Sequence, residues 1–119
     1  MQEKDNIFKI DYKKKLLSML GFAKKSGNII HNTEKVLEYL RKKGKIKLVL
    51  IASDCGKSQY DKIISKCVYY NTKYFSIFDR VELSKAIGSI NSVCIGITDE
   101  NFAKVIEDLI NKLNYENGG

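Results

Sequence analysis

At 119 residues, 44% hydrophobic and 29% charged, the sequence describes one soluble domain that can bury a core without disulfide staples. No apolar run approaches the roughly 18 residues of a membrane span, and the start, MQEKDNIFKIDYKKK, lacks both the apolar core of a secretory signal and the arginine-serine bias of a transit peptide, so a cytoplasmic location is expected. The net charge of +7 is uneven: residues 1–50 hold 13 Lys and Arg against 5 Asp and Glu, while residues 51–119 hold 8 against 9. A polyanion would therefore be drawn to the first half, unless the lysines only form a solvated surface.

Residues 1–10 read as a loose lead-in, 11–113 as a single domain and 114–119 as a polar tail. Leu16, Leu17, Leu20 and Ala23 mark a first helix, with Asp11 placed to cap it. Asn28–His31 reads as a short strand. Val36, Leu37 and Leu40 give a second helix an apolar face, capped by Asn32 or Thr33 and ended by Gly44 in the left-handed conformation. KLVLIA, 47–52, is a continuous apolar run of the kind buried on both faces of a sheet.

Tyr60, Ile63, Ile64 and Cys67 keep helical spacing behind a cap at Ser58, and Tyr74–Ile77 reads as a strand. Val81–Ile87 is a short helix closed by Gly88, and SVCIGI, 92–97, is a second doubly buried strand. Phe102, Val105, Ile106, Leu109, Ile110 and Leu113 form the clearest amphipathic stripe, capped by Thr98 or Asp99. Helices must cover both faces of a four-stranded mixed sheet, so the expected fold is α/β, a three-layer α/β/α sandwich.

Chemistry-bearing candidates are few. Cys55, Cys67 and Cys94 show no CxxC spacing, and with the single His31 they form no zinc site. No metal, no cofactor and no membrane partner is expected. Gly56-Lys57-Ser58 follows a buried strand, but a phosphate-binding loop needs a glycine five residues earlier, where Ile51 stands inside the strand. One histidine and three thiols without an activating partner give little basis for acid-base or nucleophilic catalysis.

The stretch AKKSGNIIHNTEKVLEYL, 23–40, is different. Lys24 and Lys25 precede a strand, and His31, Asn32, Thr33, Glu34 and Lys35 lie where that strand turns into a helix. Lys24, Lys25 and Lys35 are therefore expected to face RNA as cations that offset the repulsion between Glu34 and a phosphate backbone. As simple helix-start chemistry, Asn32 or Thr33 caps and Glu34 favours the dipole. The same geometry suits RNA: free helix N–H groups face phosphates, and a carboxylate accepts from the N1–H and N2–H donors of a guanine outside a Watson–Crick pair.

These residues carry a family resemblance. LLSMLGFAKKSGNII (16–30), KIKLVLIASD (45–54), KCVYYNTKYF (66–75), ELSKAIG (82–88) and VCIGITDENFAKVI (93–106) together resemble the kink-turn-binding ribosomal protein family, the group of the archaeal large-subunit protein L-seven-Ae, and especially its short bacterial members. The resemblance implies an α/β/α sandwich, no catalysis, and binding of RNA bends built on tandem sheared G·A pairs. It implies a contact surface at His31–Lys35 and at Ser89, Ile90 and Asn91, with Ile90 packing under an extruded base. His31, Thr33 and Leu37 stand where the archaeal pattern has glycine, asparagine and lysine. The expected partner is therefore structured RNA, ribosomal or kink-turn-like. The alternatives are a protein-binding adaptor of the same superfamily and a detached RNA-recognition domain of an RNA-modifying enzyme.

Overall fold

In the computed structural model, which describes residues 10–117, helices and strands alternate along the whole domain. They are α1 (Tyr12–Lys25), β1 (Ile29–Ile30), α2 (Thr33–Leu40), β2 (Leu48–Ile51), α3 (Lys57–Tyr69), β3 (Tyr74–Ser76), α4 (Arg80–Ala86), β4 (Cys94–Ile97) and α5 (Glu100–Glu116). The four strands form one mixed sheet in the order β1-β4-β2-β3. β2 pairs parallel with β3, and β4 runs antiparallel to both β1 and β2.

Every residue of β2 and β4 is buried, and their alternation divides the core in two. Leu48, Leu50, Ile95 and Ile97 face one cluster with Leu16 and Leu20 of α1, Leu83 of α4, and Ile106 and Ile110 of α5. Val49, Ile51 and Cys94 face the other, with Val36 and Leu40 of α2 and Ile63 and Cys67 of α3. Successive strand side chains point to opposite faces, so two apolar strands need helices on both sides. The expected three layers are thus present, with α1, α4 and α5 on one face and α2 and α3 on the other.

Gly96 of β4 is what lets the chain after α2 pack closely. A Cβ there would stand 2.5 Å from Ile46 Cδ1, so the missing side chain leaves a seat for Ile46. Asp11, Asn32 and Asp99 cap α1, α2 and α5, each accepting from a backbone N–H three residues on.

Most boundaries move by one or two residues from the sequence reading, and four differences have a local cause. The third helix starts at Lys57 with Gly56 as its cap, because the Gly56 carbonyl already accepts from Tyr60 N at 2.8 Å; Ser58 lies inside the first turn. Gly44 has φ +76, but α2 has ended at Leu40 with Arg41 as cap, so the glycine turns the chain later instead of closing the helix. The region from Asn114 continues α5 through Glu116, since ladder bonds persist where no apolar stripe requires them. The first strand shrinks to Ile29–Ile30, where the register with Gly96 and Ile97 ends. Of the expected lead-in, residues 1–9 lie outside the described residues.

Candidate nucleic-acid interface

The start of α2 and the loop between α4 and β4 are 55 or more positions apart in sequence, yet they border one cleft of about 500 Å³. His31, Asn32, Thr33 and Glu34 form one wall, and Ile90 and Asn91 belong to the other. The juxtaposition follows from the sheet order. β1 leads directly into α2, the loop leads into β4, and β1 and β4 are hydrogen-bonded neighbours.

The α2 wall is a capped helix start. Asn32 Oδ1 accepts from Lys35 N at 3.2 Å, and the Asn32 carbonyl accepts from Val36 N at 2.9 Å. The N–H groups of Thr33 and Glu34, within the first turn, have no acceptor inside the helix and are available to an anion or a base edge. His31, Asn32, Glu34 and Lys35 are exposed and Thr33 is half-buried. Leu37 points the other way, only 8% exposed, and packs with Val36 and Leu40 in the core.

The opposite wall is an anchored loop with one bare apolar tip. α4 closes on a paired bond pattern, Gly88 N to the Lys85 carbonyl at 3.2 Å and Ser89 N to the Ser84 carbonyl at 2.9 Å. Gly88 stands at φ +66, the left-handed position that this closure needs. Ser84 Oγ, buried, then accepts from Ser92 N at 2.7 Å, and the hydroxyls of Ser89 and Ser92 lie 2.6 Å apart. Between these anchors Ile90 is 94% exposed.

Arg80 also lines the cleft, together with Gln59, Ser92 and Val93. Its guanidinium donates to the Asp54 carbonyl at 2.9 Å and to Asn91 Oδ1 at 3.4 Å, and its Nε lies 3.4 Å from Asp54 Oδ2. It therefore ties the loops after β2 and before β4 to the start of α4 while placing a cation at the cleft. The sequence reading missed it. The only available signal was an arginine next to the Asp79 cap in a chain whose cations are otherwise nearly all lysines.

Not every expected residue joins the cleft. Lys35 follows its α2 wall but faces a neighbouring groove, and Ser89 stands behind Ile90 as an anchor. Lys24 and Lys25 occupy the last turn of α1, where they complement the helix dipole, and neither lines the cleft.

The other candidates stay chemically quiet. Lys57 pairs with Asp61 at 3.0 Å, one turn along α3, and Asp54 is engaged by Arg80. Burial pushes the Cys67 thiol up to about 11 and Cys94 higher still, so both stay protonated at neutral pH and offer no thiolate. Among the described residues, no three His, Cys, Asp or Glu side chains gather to hold a metal ion. No described helix is long and apolar enough to cross a membrane.

Comparison with known proteins agrees with this architecture. The model of the ribosomal protein L7Ae/L30e/S12e/Gadd45 family matches residues 14–107. The RNA-binding protein YlxQ of Bacillus subtilis is 28% identical over 92 residues, covering 77% of this chain and 91% of that protein. A solved structure of a protein of unknown function from Bacillus halodurans is 31% identical and superposes with a TM-score of 0.78 over 82% of this chain and 97% of its own. The Giardia lamblia 15.5kD RNA binding protein shares the fold at 17% identity, with a TM-score of 0.72 over 90% of this chain and 91% of its own. A match over most of the domain, with this sheet and these layers, means that the chain belongs to the ribosomal protein L7Ae/L30e/S12e/Gadd45 family.

Proposed function

We propose that this chain is a non-enzymatic RNA-binding protein of the cytoplasm that takes a bent, structured RNA, ribosomal or kink-turn-like, in the cleft between the start of α2 and the Ile90 loop. The observation that carries the reading is the pairing of two unlike walls. One offers free N–H groups and the Glu34 carboxylate, and the other offers an exposed isoleucine. A phosphate suits the helix start, a guanine edge suits Glu34, and an unstacked base suits the stiff, exposed apolar side chain of Ile90. Membership in the family and the name of the Bacillus subtilis relative support RNA as the ligand.

The departures from the archaeal pattern change where the cation comes from. Leu37 packs into the core and supplies no cation, and Arg80 is the cation that lines the cleft. Thr33 supplies a hydroxyl where an amide is expected, which keeps an acceptor and loses one donor.

The test is Glu34→Gln, measured by equilibrium binding to an RNA with a tandem G·A bend and to a random-sequence RNA of equal length. Replacing one carboxylate oxygen by an NH2 sets donor against donor at the guanine edge. The bend should lose about 1–3 kcal/mol, while random RNA is bound as before or slightly better. Equal losses on both RNAs, or no binding preference in the unaltered protein, would overturn the assignment.

A further inference from the structure

The most concentrated charge on the molecule lies outside this cleft. Residues 41–47 read RKKGKIK, five cations in seven positions with no carboxylate. Arg41, Lys42, Lys43, Lys45 and Lys47 are all exposed, and none belongs to an ion pair among the described residues. The turn is anchored nonetheless. Ile46 is buried on the seat left by Gly96, and Lys47 N donates to the Ile97 carbonyl at 2.8 Å. Lys47 Nζ folds back over Gly44, and Lys42 Nζ sits 4.4 Å from the Tyr39 ring centroid. Like charges are thus held together on a fixed loop, an arrangement that repels itself until an anion neutralises it.

A groove of about 770 Å³ joins this turn to the start of α2. Its lining includes His31, Asn32, Lys35, Tyr39 and Lys45, so His31 and Asn32 are shared between the groove and the cleft. α2 has eight residues and spans about 12 Å, so the two ends of the groove are separated by a short stretch of nucleic-acid backbone. A strand leaving the cleft past His31 would pass Lys35 and Lys45, with Lys42 held against Tyr39 of the same groove and Lys43 exposed next to it in the turn. The half-buried Tyr39 stiffens the wall between them by packing into the α2–α3 core.

We propose that this groove and the 41–47 turn form a second RNA contact, one that grips the phosphate backbone of the helical arm flanking the segment read in the cleft. The contact is independent of sequence, because ammonium groups and a backbone turn meet phosphates and no base edge is addressed. It rests on RNA binding at the cleft and extends the footprint along α2. It also accounts for the charge asymmetry, since the cations needed to hold the RNA need not stand beside Glu34, where a carboxylate would oppose the backbone.

The experiment uses the full chain and the same G·A bend RNA in two forms, one with long helical arms and one with its arms trimmed to the shortest that still pair. Affinity is measured against salt for the unaltered protein and for Lys42→Gln/Lys43→Gln/Lys45→Gln. These side chains are exposed, so thermal unfolding of the triple variant should match the parent. On the long RNA the slope of log affinity against log salt should flatten by about two to three, near one per phosphate released. On the trimmed RNA the slope should not change. An unchanged slope on the long RNA, or equal flattening on both, overturns the flanking-arm contact. Failure of the unaltered protein to prefer either bend RNA over a scrambled one would instead sink the cleft reading on which it rests.

Discussion

The two walls of the cleft differ in the reach of the bonds that hold them. The α2 wall is local: Asn32 caps Lys35 three residues away, and the helix behind it needs only Val36, Leu37 and Leu40 against the sheet. The loop wall is not. The backbone N–H of Arg80 donates to Asp54 Oδ1 at 2.9 Å across 26 positions, its guanidinium steadies Asn91, and buried Ser84 holds Ser92. Asn91 moreover sits at φ +57, a conformation most residues avoid and asparagine tolerates. The candidate cleft therefore combines a wall that forms wherever the helix forms with one that exists only in the finished fold.

Breaking the loop wall from beneath should have the largest effect. Ser84→Ala leaves the buried Ser92 N–H without its acceptor, a loss of about 1–3 kcal/mol in unfolding free energy by chemical denaturation. Bend RNA should then be bound more weakly even by the folded fraction, because Ile90 loses its anchor. A loop that was locally determined would keep its RNA affinity once stability was corrected for.

Next in size is Ile90→Ala. Ile90 is exposed, so the melting temperature should stay put while bent RNA loses about 1–2 kcal/mol, near the lower part of the base-stacking range. Combined with Glu34→Gln in a double-mutant cycle on the same RNA, the two losses should be non-additive if both walls hold one bend. Strict additivity would mean that the walls act separately.

Asn32→Ala probes the local wall with an expected cost of about 1 kcal/mol in stability, as for a lost cap. Circular dichroism melts and RNA binding should decline together here, in contrast with Ile90→Ala.

The smallest effect has the most telling sign. Asp54→Asn removes a negative charge from a protein expected to bind a polyanion, so charge alone predicts tighter binding. If Asp54 serves to hold Arg80 and through it Asn91, bend RNA should instead be bound more weakly, by about 0.5 kcal/mol for so exposed an ion pair. Tighter binding to the bend would show that the clasp does not matter.

Most of the layered fold was legible because it rests on short-range pattern. Doubly apolar LVLI and CIGI can only be central strands, and the stripe from Phe102 to Leu113 can only be a helix laid on them. Where the reading slipped, the cause was competition between nearby backbone groups. Gly56 starts α3 ahead of Ser58 through its carbonyl, and α5 runs on past its apolar stripe because propagation of a helix needs no further burial. The candidate site was legible only in part. Asn32 and Glu34 announce a helix start, but nothing local marks Arg80, Gln59 or Val93 as their neighbours.

By itself, then, the sequence determined the elements, the two apolar strands that demand helices on both sides, and the capped start of α2, because each depends on residues within a few positions of one another. The tertiary structure alone decided that β1 would pair with β4, and with that pairing that Ile90 and Glu34 would border one cleft that Arg80 also lines. It also put Gly44 and Lys45 of the 41–47 turn on one groove with His31 and Asn32. Strand order is set by how the whole core packs, and side chains brought together by it leave no periodicity in the chain to read.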